Sequence, residues 1–255
     1  MKYRHIFGPI ASRRLGRSLG INLTAYKVCS MDCIYCEAGA TTRLTGTREE
    51  FFPAEEVIAE IDSYMAGNPA VDFLTYSGTG EPLLYSRFGE IAKHISTRYT
   101  QYRQCLITNS LSLTDRDCAR EASWVDLIIP SLDGSDDSEF AAVNRPVPGV
   151  SVEDIVEALA DFRNKYPAVE MWLEIFIIPG INDSPDSIER FKKHIARIKP
   201  AKVQLNTLDR KGVVDWITIP PVEKLLETAE QLGAVAPTEI IGKTSTRETI
   251  RETSQ

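Results

Sequence analysis

The chain has 255 residues, 43% of them hydrophobic, with a formal net charge of -7; that is long enough to bury a sizeable core within one domain. Its acidic balance, with a pI near 5.2, gives no global attraction for nucleic acid, whose binders carry a basic face. No run of about 18 apolar residues or more occurs, and the opening MKYRHIFGPIASRRLG has no apolar signal-peptide core after its charges; we expect a cytoplasmic protein without a membrane partner.

In chain order, apolar runs of strand length alternate with segments of helical period. Strands are predicted over residues 19 to 26 (LGINLTAY), 71 to 77 (VDFLTYS), 102 to 109 (YRQCLITN), 124 to 133 (WVDLIIPSLD), 169 to 178 (VEMWLEIFII) and 201 to 208 (AKVQLNTL). Between the first and second lies PAEEVIAEIDSYMAG, where Pro53 suits a helix start. Between the fourth and fifth lies SVEDIVEALADFRNKY, where Ser151 can cap and acidic residues favour the first turn. The pattern is that of six repeated βα units on a parallel sheet. Periodicity fits both an open doubly wound sheet and an incomplete barrel. One domain is expected over residues 1 to 240. The tail over 241 to 255, ending KTSTRETIRETSQ, has no apolar face and reads as mobile or weakly helical.

Of five cysteines, Cys29, Cys33 and Cys36 fall within eight residues of KVCSMDCIYCEAG, on the loop after the first predicted strand. An odd count so crowded suits a metal site in a reducing compartment better than a disulfide framework. A structural zinc normally takes four closed ligands, and His5, His94 and His194 are scattered along the chain. A [4Fe-4S] cluster has four irons, so three cysteines leave one open to an outside ligand. The residues alone leave both kinds of centre open. Cys105, in a predicted strand, and Cys118, in a predicted helix, read as buried thiols.

The spacing C-x3-C-x2-C, with Tyr35 before the last cysteine, resembles the signature of the radical S-adenosylmethionine (SAM) superfamily. The resemblance implies that Cys29, Cys33 and Cys36 hold one [4Fe-4S] cluster. It implies further that the open iron chelates SAM, and that reductive cleavage releases methionine and a 5'-deoxyadenosyl radical that abstracts a substrate hydrogen. An electron donor such as flavodoxin or ferredoxin would supply the electron. After the second strand, Ser77-Gly78-Thr79-Gly80-Glu81-Pro82 is similar to the family's GGEP turn, which holds the SAM amine; glycines let a backbone approach a ligand closely. By the same resemblance Tyr35, Asn109, Ser131, Asp133, Asn182, Gln204 and Asn206, most of them at or near strand carboxyl ends, are candidate SAM contacts. A turn, a cap or a half-buried strand face accounts for each of these singly. The resemblance selects the incomplete (β/α)6 TIM-like barrel as the expected fold.

More narrowly, FGPIASRRLGRSLGINL, SLDGSDDSEFAAVNRPVPG and VQLNTLDR resemble a branch containing the wyosine-synthesis radical SAM enzymes and uncharacterised bacterial relatives. Those enzymes carry a second cluster on cysteines upstream of the signature, and residues 1 to 28 contain none. The branch suggests a nucleoside or RNA substrate, with Arg13, Arg14 and Arg145 meeting anionic groups; surface pairing with the excess acids is the plainer reading of these arginines. Two other functions are weighed: a glycyl-radical-enzyme activating enzyme with a protein substrate, and a non-catalytic iron-sulfur or zinc protein.

Overall fold

In the computed structural model, which describes residues 3 to 242, the first two strands form a hairpin. β1 (Ile6–Ser12) runs antiparallel to β2 (Gly16–Ile21), with a register shift between Phe7 and Ile10. Two short strands, β3 (Val28–Cys29) and β4 (Arg43–Leu44), then pair on their own. The main sheet continues with β5 (Phe73–Tyr76), β6 (Arg103–Thr108), β7 (Leu127–Pro130), β8 (Glu170–Phe176), β9 (Lys202–Asn206) and β10 (Thr238–Ile240). Its order is β1-β2-β5-β6-β7-β8-β9-β10, and every neighbour pair after the hairpin is parallel.

The crossovers are helical. α1 (Ala54–Met65) and α2 (Phe88–Arg98) precede β5 and β6, and α3 (Arg116–Ala122) precedes β7. α4 (Asp137–Asn144) and α5 (Val152–Lys165) precede β8, α6 (Pro185–Ile198) precedes β9 and α7 (Val222–Gly233) precedes β10. Helix starts follow their sequences. Ser151 and Asp154 form a reciprocal capping box on α5, which satisfies donors the first turn leaves orphaned and is worth about 1 kcal/mol. Pro53 directly precedes α1, with Glu55 and Glu56 in its first turn.

All six predicted strands are present, as β2 and β5 to β9, and the architecture is an incomplete TIM-like barrel. Two corrections concern its edges. The run 19 to 26 starts earlier and stops at Ile21, and β1 and β10 join the sheet as a leading antiparallel strand and a seventh parallel one. Among the described residues no pairing joins β1 to β10, so the ring stays open. The predicted tail lies, from residue 243 on, outside the described residues.

Alternation along the strands sets the two faces. Leu74, Tyr76, Leu106, Ile128, Leu173, Ile175, Val203 and Leu205 pack outward into the core shared with the helices. The inward residues Phe73, Cys105, Leu127 and Ile129 pack instead around Leu15. Leu15 lies in the β1–β2 turn, at the amino ends of the parallel strands. That turn plugs one end of the lumen and leaves the chemistry to the carboxyl ends, where barrels carry it.

Candidate active site

The cysteine loop leaves the barrel after β2 and is tied down from both sides. Gly80 sits where a Cβ would overlap the Val28 carbonyl and Thr24 Oγ1, and the Glu81 N–H donates to Val28 O at 3.1 Å. Gly78 has φ +143°, and a Cβ there would strike the Asn22 side chain. Both glycines are therefore demanded by close approach and backbone conformation. On the far side, Asp32 N donates to Asn144 O and Ile34 N to Val143 O, each at 3.0 Å. The cysteine loop thus satisfies carbonyls that the carboxyl end of α4 leaves open.

The three thiols are half-buried and reduced, and close enough to feel one another's charge. Each has one side-chain N–H donor. Asn109 Nδ2 lies 3.5 Å from Cys29 Sγ, Asn144 Nδ2 lies 3.3 Å from Cys33 Sγ, and Lys27 Nζ lies 3.2 Å from Cys36 Sγ. Burial, followed by the Glu81 charge, pushes the Cys29 thiol up to about 11, and burial with the Asp133 charge raises Cys33 well above its ordinary value. These thiols ionise when a cation replaces the proton. Asn144 Oδ1 is buried without a partner beside them. Among the described residues no three His, Cys, Asp or Glu side chains close around a single ion; three thiolates that each bind a different iron have no need to. A soft donor set with one N–H per sulfur fits an iron-sulfur cluster.

The predicted SAM contacts divide by what already occupies them. Glu81 is buried, and its carboxylate accepts from Thr108 Oγ1 at 2.7 Å, Asn109 N at 2.8 Å and Leu83 N at 3.0 Å. Burial raises it, against those hydrogen bonds. Its side chain therefore locks the turn to the end of β6, leaving the turn's backbone to face a ligand. Asp133 accepts from Tyr35 Oη at 2.6 Å, Asn144 Nδ2 at 2.7 Å and Phe176 N at 2.9 Å, and burial pushes it up to about 6. Tyr35 stacks on Phe176 at 3.8 Å between ring centroids.

Asn182 is held within its own turn. It is 0% exposed, and its amide is spent on Ile178 N, Asp133 O and Phe176 O, so it builds the turn. Gln204 is also fully buried, between Glu239 and Arg14. Asn206 Nδ2 reaches Glu174 at 3.4 Å. Ser131 bridges to Glu174, its carbonyl accepting from Ser110 Oγ at 2.7 Å. Gly80 lies directly against Val28 at the start of the cysteine loop.

Each of the three arginines lies against an acid, and only Arg13 and Arg145 do so at the surface. Arg14 turns inward and pairs with Glu174, Arg13 pairs with Asp209, and Arg145 sits 3.7 Å from Asp32. Cys105 and Cys118 are buried, each pushed up to about 12 by burial. Three residues escaped sequence reading. Lys27 and Asn144 bind thiols across a fold, and Glu174 is the inner of two carboxylates in VEMWLEIFII, buried where Glu170 is not; a charge in the middle of an apolar strand was the available signal.

A profile of the Radical SAM superfamily matches residues 23–195. The chain belongs to the radical SAM superfamily. Its members are enzymes that work with SAM and a [4Fe-4S] cluster and draw on a reductant. The radical SAM chain is 32% identical over 202 residues to UPF0026 protein slr1464 of Synechocystis sp., covering 79% of this chain and 74% of that protein. It is 33% identical over 211 residues to a Brachyspira hyodysenteriae protein named GTPase Obg, covering 83% of this chain. It spans only 31% of that relative's length.

Among solved structures it resembles a radical SAM methyltransferase from Sphaerobacter thermophilus, with a TM-score of 0.66 at 19% identity, over 88% of this chain and 66% of that one. It also resembles TYW1 with a lysine-pyruvate adduct bound, with a TM-score of 0.61 at 16% identity, over 86% and 74%. The fold is thus shared with TYW1 as with the methyltransferase. A third neighbour, anSMEcpe with bound AdoMet and a peptide, has a TM-score of 0.56 at 18% identity, over 84% and 58%. At such identities the likeness is one of fold, and the bound molecules belong to those proteins. No helix among the described residues is long and apolar enough to cross a membrane.

Proposed function

We propose that this protein cleaves SAM reductively at one [4Fe-4S] cluster held by Cys29, Cys33 and Cys36, and turns the resulting radical on a nucleoside, free or within RNA. The observation that carries the reading is the joint lock on the cysteine loop: three thiols, one N–H donor each, clamped between the GxGEP turn and the end of α4. When bound, the cluster would supply the single electron needed for reductive cleavage of SAM. The backbone of Gly78, Thr79 and Gly80 holds the SAM amine, with Asn109 and Ser131 lining the same strand ends. Glu81 and Asp133 order that wall from behind, and Tyr35 on Phe176 forms its apolar floor.

The lumen supports the nucleoside. Glu174 and Asn206 lie together there, and carboxylate and carboxamide side chains pair with base edges. Arg14, the cation among them, is held by Glu174, so these residues recognise a base rather than a phosphate. One cluster suffices, because both remaining cysteines are buried in apolar surroundings. An external low-potential carrier such as flavodoxin or ferredoxin delivers the electron, and the cysteine usage supports a reducing, cytoplasmic setting.

The test is anaerobic reconstitution followed by SAM and dithionite. The protein should release 5'-deoxyadenosine, and Cys29→Ala, Cys33→Ala and Cys36→Ala should each lose cluster absorbance and iron. Normal iron without 5'-deoxyadenosine sinks the reading in favour of a non-catalytic iron-sulfur protein. Deuterated nucleosides or RNA should pass deuterium into 5'-deoxyadenosine; a glycyl radical on a co-purifying protein, with no such transfer, would establish the activating-enzyme function instead.

A further inference from the structure

Lys27 is the only lysine or arginine buried among the described residues, at 2% exposure. Its backbone is left-handed, with φ +53°, and is held there by its neighbours. Its carbonyl accepts from Thr42 N at 3.0 Å and Arg43 N at 3.3 Å, which binds it to the strand entering β4. The side chain runs to Cys36 Sγ at 3.2 Å, and among the described residues it forms no ion pair with a carboxylate. An ammonium withdrawn from water without a counter-charge is strongly unfavourable. The fold accepts it with its ammonium on the Cys36 sulfur and with Cys29 also within reach of its charge. The other two thiols receive neutral carboxamide donors, from Asn109 and Asn144. The charged hydrogen bond is thus made to one sulfur of three.

We propose that Lys27 is a positioning residue that raises the reduction potential of the cluster through Cys36. Hydrogen bonds to ligating sulfurs and net charge both set cluster potentials, and a charge-assisted bond is roughly twice as strong as a neutral one. A fixed positive charge stabilises the more negative, reduced state. It therefore eases the uptake of the single electron that an external low-potential donor must deliver before SAM can be cleaved. This inference rests on the reading of Cys36 as a cluster ligand.

The experiment is an EPR-monitored redox titration of the reconstituted full chain, with iron counted in parallel, for wild type, Lys27→Met, Lys27→Gln and Lys27→Arg. At a fixed potential the neutral variants should show a roughly tenfold lower ratio of reduced to oxidised cluster, a midpoint lower by about 59 mV for a one-electron couple. Lys27→Arg should stay near wild type. Equal midpoints at equal iron content overturn the role of Lys27 and leave the ligand assignment standing. If both neutral variants lose iron while Lys27→Arg keeps it, the requirement for charge beside the ligated sulfur is supported. Loss of iron from all three shows that Lys27 only packs, and overturns the proposal. Cys36→Ala is the separate control: unchanged iron there removes the reading on which the inference depends.

Discussion

At the scale of single residues, the buried acids around the cysteine loop are structural before they are chemical. Glu81 answers three donors at once, and an unsatisfied buried donor costs about 1 to 3 kcal/mol. Glu81→Ala should therefore lower stability by about 3 kcal/mol or more in urea denaturation, and Glu81→Gln, which keeps one good acceptor, by less. A loss under 1 kcal/mol for the alanine variant would contradict the hydrogen-bond role. Asp133 tests the electrostatics. Its ordinary value of 3.8 is pushed up to about 6, chiefly by burial. The folded state thus holds a proton the unfolded state has lost, and the stabilising contribution, full below about pH 4, disappears as pH rises through about 6. Asp133→Asn should gain on the wild type by about 2 to 3 kcal/mol between pH 4 and pH 7. Urea midpoints for both proteins at several pH values decide it, and a constant difference would refute the shift.

At the scale of elements, the site depends on how close two loops can come. Gly80→Ala pushes a methyl group into the Val28 carbonyl and separates the GxGEP turn from the cysteine loop. Iron loading should fall several-fold with all three cysteines intact, and full loading would show that the turn is free to move. Sequence reading succeeded where structure is local. Cysteine spacing, the capping box at Ser151 and the alternating strands are each written within a dozen residues. It failed for β1, whose IFGPIAS carries a glycine, a proline and mostly exposed side chains, because edge strands owe their conformation to a partner rather than to apolar alternation. It failed for β10 because three residues have no period. The donor on Cys33 comes from a residue 111 positions away, a separation no local pattern encodes.

At the scale of the whole molecule, the lumen is polar where Arg14 enters it. Its guanidinium and Glu174 are largely shielded, with side-chain exposures of 19% and 9%, so removing one partner leaves the other's charge in a poor solvent. Arg14→Ala or Glu174→Ala alone should cost about 3 kcal/mol or more, and the double variant should cost less than their sum, with a coupling of about 1 to 3 kcal/mol. Additive losses in thermal or urea unfolding would mean that the pair acts as two independent surface groups.

The unclosed ring gives this pair a further meaning. Backbone ladders hold every neighbouring strand from β1 to β10, but the seam between those two edges borders a cavity of about 450 Å³ lined by Ile10, Arg13, Asn206 and Asp209, with side-chain ion pairs spanning it. A ladder yields only by unfolding, whereas an ion pair can part and re-form. The circumference of the barrel is therefore fixed everywhere except at one buttonhole. Among the described residues the barrel can therefore widen at that seam without breaking a backbone ladder.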